Sequence, residues 1–134
     1  MKTLAKPRNY KPLATETGDA LFLEPGSHGD AIESLQTILI ALGCGDSELR
    51  RERLVRKRIY DAATQRGVVE LQQLINQNLP DGAQPIDTDG KCGPGTRRTA
   101  YEILNVDIDD TIRHGGGLTW CLQPDGSKVR LLSE

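Results

Sequence analysis

Aromatic side chains, histidines, cysteines and long apolar runs are all scarce in this chain, and each shortage closes off a class of protein. One Trp, one Phe and three Tyr in 134 residues exclude a large aromatic core, while 37% hydrophobic residues still suffice for one ordinary domain. Cys44, Cys92 and Cys121 lie 48 and 29 positions apart, without the close C-x-x-C spacing that a zinc site or redox pair requires. An odd count suits reduced, partly buried thiols in a protein made in a reducing cytoplasm, with a disulfide between two of them left open. His28 and His114 are the only histidines, and both sit in glycine-flanked loops. A Cys–His peptidase and a zinc hydrolase are therefore disfavoured. The 19 acids never exclude a glycosidase pair, but no segment resembles such a site. The expectation is a chain with no catalytic residue, no metal and no cofactor.

The segment Met1 to Arg8 starts basic but has no apolar run of the length a secretory signal needs, and no later stretch is long enough to span a membrane. A net charge of -2 gives no general attraction to nucleic acid. Its distribution is uneven, because Arg50, Arg51, Arg53, Arg56, Lys57 and Arg58 form a basic patch opposed only by Glu48 and Glu52.

What the chain does contain is a helix-start pattern used twice. Ile59-Tyr60-Asp61-Ala62-Ala63-Thr64 and Lys91-Cys92-Gly93-Pro94-Gly95-Thr96 each place a turn residue, Asp61 or Gly93, three positions before a Thr, and Glu70 and Glu102 follow at one common offset. Asp61 is a cap for a helix running to about Asn76, with Val68, Leu71, Leu74 and Ile75 inward. Pro94 suits the first position of a helix running to about Leu104, with Ala100, Ile103 and Leu104 buried. An earlier helix is predicted from about Ala31 to Leu42, capped by Asp30 with Glu33 in the capping-box place, ended by Gly43, and apolar through Ile32, Leu35, Leu39 and Leu42.

Around these helices the reading is coarser. Residues 1–20 form an extended arm, and Leu21-Phe22-Leu23 is an edge segment or apolar plug on the core of a 21–105 domain. An insertion at 44–58 carries the basic patch on a short exposed helix. The 106–134 extension is acid-rich to Arg113, then glycine-rich, and ends in two short strands that form a β-hairpin packed on the domain.

The motifs resemble a known family. Gly26, Gly29, Ile32, Leu35, Gln36, Leu39, Leu42 and Gly43 form a first block; Tyr60, Asp61, Thr64, Val68 and Leu71-Gln72 a second; Asp89-Gly90-Lys91-Cys92-Gly93-Pro94-Gly95-Thr96, with Ala100 and Leu104, a third. In this order they resemble the peptidoglycan-binding domain found beside the catalytic domains of bacterial and phage wall hydrolases. Two departures stand out: the basic insertion replaces the first Asp-Gly turn, and the loop from Pro80 to Thr88 is longer and carries its own Asp81-Gly82.

The resemblance implies a mainly α fold, a three-helix wall-binding core with the inserted helix and the terminal hairpin attached. It also implies non-catalytic binding of peptidoglycan, glycan strand or stem peptide; the expected lack of an export signal then fits a module that targets or anchors a phage or injection-related protein. The chain would be made in the cytoplasm without a classical signal and act at the wall or periplasm after delivery, or within a phage-like particle. The candidate ligand residues are Gln36, Tyr60, Asp61, Thr64, Gln72, Asp89, Gly90, Gly93 and Thr96 within the matched blocks, and, outside them, Trp120, the one tryptophan, whose ring on the expected hairpin suits stacking on a sugar. Each also has a plainer reading: the threonines support their own helices, the aspartates make turns, the glutamines tie loops together, and Trp120 anchors a small sheet. The alternative function keeps the fold and drops the wall ligand, making the arm, basic insertion and hairpin docking surfaces for another protein.

Overall fold

The computed structural model describes residues 10–14, 21–45 and 58–113, together with the backbone at 120–122 and 128–130. The architecture is mainly helical. Four helices are described: α1 (Asp30–Ala41), α2 (Ala62–Gln77), α3 (Pro94–Leu104) and α4 (Ile108–Arg113). α1 packs on α2 and α4, and α3 packs on the same two helices, so the pairs share one core.

Each helix end has a local cause. The Asp61 carboxylate accepts from the Thr64 amide at 3.1 Å, and Pro94 opens α3 at its first turn, both as the sequence indicates. α1 differs from expectation: Gly29 is its N-cap at φ 127°, no side chain caps it, and Asp30 is already helical. Asp30 instead faces Arg58 across the loop, 3.1 Å from the guanidinium. Gly43, at φ 76°, ends α1 in a Schellman turn, with its own amide on the Ile40 carbonyl and the Cys44 amide on Leu39.

The core is aliphatic and nearly free of aromatics: Ile32, Leu35 and Leu39 of α1, Val68, Leu71 and Ile75 of α2, and Ala100 of α3 are fully buried. Leu21 and Leu23 are buried on either side of half-exposed Phe22, and Leu23 pairs with Cys92 as an isolated antiparallel bridge. Leu42, Leu74, Ile103 and Leu104 pack at the margin and are only partly buried. Cys44 and Cys92 are buried free thiols.

Two features depart from the sequence reading. The acid-rich stretch after Val106 is a helix, α4, because Asp107 accepts from the Asp110 amide at 2.9 Å and Ile108 and Ile112, one turn apart, enter the core. Part of the arm also belongs to the packed body: Leu13 is 2% exposed and its amide donates to Asp109 at 2.7 Å.

Residues 46–57, where the inserted basic helix is expected, lie outside the described residues. A packed terminal hairpin is not supported. The backbone segments 120–122 and 128–130 run antiparallel, but the turn between them and all their side chains lie outside what is described.

Candidate functional site

Two glutamines organise the loops that precede α2 and α3. Gln36 of α1 accepts from the Arg58 amide at 3.3 Å and donates to the Ile59 carbonyl at 3.0 Å and the Thr64 hydroxyl at 2.9 Å. Gln72 of α2 accepts from the Gly90 amide at 2.9 Å and donates to the Lys91 carbonyl at 3.0 Å and the Thr96 hydroxyl at 3.1 Å. Each partner in the second clasp stands 32 residues after its counterpart in the first. A buried primary amide is suited to this work, since it offers an acceptor and two donors without the cost of burying a charge.

The clasps are internal structure. Gln36, Gln72, Thr64 and Tyr60 are each at most 2% exposed, and Tyr60 donates its hydroxyl to the Gly90 carbonyl, joining the first loop to the second. Burial, with the nearby Cys92 thiol adding to it, pushes the Tyr60 phenol well above its ordinary range. Asp61 is spent on capping α2, accepting from both the amide and the hydroxyl of Thr64.

The open surface lies at the second clasp. Phe22, Ile86, Asp87, Asp89, Lys91, Gly93, Pro94, Gly95, Thr96 and Thr99 line a groove of about 430 Å³. Gln72 and the Lys91 amide both donate to Asp89 Oδ1, at 3.1 and 3.0 Å. Partial desolvation opposes ionisation of Asp89, but those hydrogen bonds and the Lys91 charge outweigh it and hold the carboxyl below its ordinary value. Asp87 is exposed and makes no hydrogen bond or ion pair among the described residues. Gly93 sits tight against Phe22, because a methyl group there would come within 2.9 Å of the ring, whereas one at Gly95 would meet nothing within 4 Å.

Behind the groove lies a buried ion pair that sequence reasoning missed. Arg97 Nε is 3.0 Å from Asp109 Oδ2, with both side chains fully buried. The other two Arg97 nitrogens donate to the carbonyls of Cys92 and Leu21, each at 2.8 Å. Asp109 further accepts from the Leu13 amide and the Tyr10 hydroxyl. One ion pair thereby joins the 10–13 segment, the Phe22 segment, the loop before α3, and α4. Arg97 occurs where the repeated pattern has Gln65, three residues before Ala100 and seven before Leu104, so helical spacing places it on the apolar face where a charge is not expected. That spacing is its sequence signal: of the adjacent Arg97 and Arg98, only Arg97 shares the helix face of Ala100 and Leu104.

Of the ten candidate ligand residues, the structure brings Asp89, Gly93 and Thr96 to the groove. Gln36, Thr64, Tyr60 and Gln72 point inward as the tie between loops, Asp61 caps, and Gly90 is the buried positive-φ residue of its turn. The side chain of Trp120 and the basic residues Arg50, Arg51, Arg53, Arg56 and Lys57 lie outside the described residues, and Arg58 is exposed beside Asp30 and Glu33. Phe22, Ile86, Asp87 and Thr99 are the groove residues the motifs did not mark. Among the described residues, no group of three or more His, Cys, Asp or Glu is placed to hold a metal ion, and no helix is long and apolar enough to cross a membrane.

Compared with protein-family models, with curated proteins and with solved structures, the chain matches none of them.

Proposed function

We propose that this chain is a non-catalytic module that binds bacterial cell-wall peptidoglycan at the groove before α3, targeting or anchoring a phage-related or injection-related protein there. One observation carries the reading. The residues that make the motif resemblance, Gln36 with Thr64 and Gln72 with Thr96, form two clasps of one geometry, and the second clasp holds the wall of an open groove. The groove offers what an extended polar polymer can use: hydroxyls of Thr96 and Thr99, the Asp87 and Asp89 carboxylates, the Lys91 ammonium and one exposed aromatic face. Single contacts of this kind are weak, and repetition along a polymer raises the effective concentration enough to retain the protein.

The test is co-sedimentation of the full chain with purified sacculi of several wall types, with soluble muropeptides as competitor. Pelleting that muropeptides compete away supports wall binding. Absence of pelleting at every salt concentration overturns it and favours the protein-docking alternative, for which the half-exposed Phe22 is the natural contact. Release of soluble fragments would overturn the non-catalytic reading.

A further inference from the structure

Resting on the wall-binding reading, we infer that the groove before α3 selects the stem peptide over the glycan, by receiving a primary ammonium group carried on an aliphatic stem. Three features of the groove converge on that chemistry. Phe22, 50% exposed, turns an aromatic wall to the groove, and Ile86 supplies a second apolar contact. Methylene groups of a long amine side chain pack on such walls, and the ring face attracts the cation.

The second feature is charge. Asp87 and Asp89 line the groove against the single cation Lys91, so the lining is net acidic. Asp89 is held in place by Gln72 and by the Lys91 amide, a fixed carboxylate that pays no reorganisation when a cation arrives. Asp87 is the complementary free group, exposed and with no partner among the described residues. An unmodified glycan strand carries hydroxyls and acetamides but no cation, and it leaves this arrangement unused. The diamino acid of a stem peptide carries an ammonium on an aliphatic chain, and when uncrosslinked it fits both the apolar walls and the carboxylates.

The third feature is room. The groove holds about 430 Å³, enough for one extended side chain with its flanking peptide groups, and the open space at Gly95 lets a backbone approach the start of α3.

The experiment titrates the full-length, isotope-labelled protein with three probes: a synthetic stem peptide with lysine at its third position, the same peptide acetylated on the lysine amine, and peptide-free glycan chains. Amide shifts of Lys91, Gly95 and Thr96 report the groove. The free-amine peptide is expected to shift them, acetylation to weaken binding by about tenfold, and glycan alone to leave them in place. Asp87→Asn, at an exposed site without partners, should weaken the free-amine peptide several-fold and leave the acetylated one unaffected. Equal binding of the two peptides, or shifts with glycan alone, would overturn the inference. Pelleting with sacculi while neither peptide binds would overturn it too and leave wall binding standing; no pelleting and no shifts would remove both.

Discussion

Arg58 and Gly90 occupy the same place in the two clasps: they lie at φ 74° and 78°, and each donates its N–H to the side-chain oxygen of a helix glutamine. Glycine adopts that conformation freely, whereas an L side chain pays roughly 1–2 kcal/mol. The Arg58 contacts to Asp30 and Glu33 join an exposed guanidinium to half-buried carboxylates, remain screened by solvent and offset little of this. Arg58→Gly should therefore raise stability by about 1 kcal/mol, seen as a higher urea midpoint at unchanged slope. Gly90→Ala should do the reverse, since its new methyl would lie 2.5 Å from Gln65 Cγ as well as at positive φ.

Removing a clasp should cost much more. Gln72→Ala leaves the buried Gly90 amide without its acceptor and the Lys91 carbonyl without this donor, and about 2–3 kcal/mol of stability should be lost in chemical denaturation. Gln72→Glu should recover little, because a carboxylate accepts from Gly90 but has no N–H for the Lys91 carbonyl and would face the Asp89 carboxylate. A double-mutant cycle of Gln72 with Thr96 should show coupling, and one of Gln72 with Thr64 should be near additive.

The Arg97–Asp109 pair is the most sensitive point. Asp109→Asn leaves a buried guanidinium without a counter-charge, and a loss of about 3–5 kcal/mol is expected. Tyr10→Phe removes only a part-buried hydroxyl from Asp109 and should cost about 1 kcal/mol or less. Equal effects of the two variants in thermal or urea unfolding would contradict the central place given to the ion pair.

Alkaline pH should weaken the fold through Cys92. Burial pushes its thiol from an ordinary value of 9.0 up to about 12, with the Arg97 charge opposing the shift. The folded state thus favours the neutral thiol. That contribution is fully present below pH 9 and is lost as pH rises from about 9 towards 12. Stability measured across this range should fall, and Cys92→Ala should flatten the first part of the decline, before the Tyr60 phenol begins to act in the same direction. Peptide mapping after alkylation of the native protein should find Cys92 unmodified.

Two glycine substitutions in the groove lining should act in different ways. Gly93 has ordinary negative φ, so Gly93→Ala strains no backbone but drives the new methyl into the Phe22 ring, and pelleting with sacculi should drop. Gly95→Ala meets open space within the first turn of α3 and should stabilise by about 0.5 kcal/mol. Unchanged pelleting by a folded Gly93→Ala variant would argue against the groove as the contact.

Much of the helical frame was legible because its signals are local. Asp61, Pro94 and Gly43 mark boundaries through backbone hydrogen bonds made within a few residues, and the apolar spacing of α1 and α2 points at the core they share. α4 escaped notice because its helix has only two core residues among acids, and one of those acids, Asp109, is itself buried. Its burial depends on Arg97 and on Leu13, 96 residues earlier, and no local pattern reports such a partnership. The site divided along the same line. Motif residues Gln36, Thr64 and Gln72 serve the frame with their side chains, whereas Thr96 both closes the second clasp and lines the groove. Phe22, Ile86 and Asp87 come from unpatterned loops, and only the folded chain brings them to one wall.

The doubled clasp has a consequence for how this surface can change. Since Gln36 and Gln72 spend their hydrogen bonds on loop backbone, threonine hydroxyls and Asp89, the geometry of the groove is held from behind, with no hydrogen bond to the Phe22 or Asp87 side chains. Positions such as Phe22 and Asp87 can therefore be exchanged with little penalty to the chassis. A library varied at those two sites alone would keep one shape while sampling many groove surfaces, which makes the molecule a starting scaffold for designed recognition.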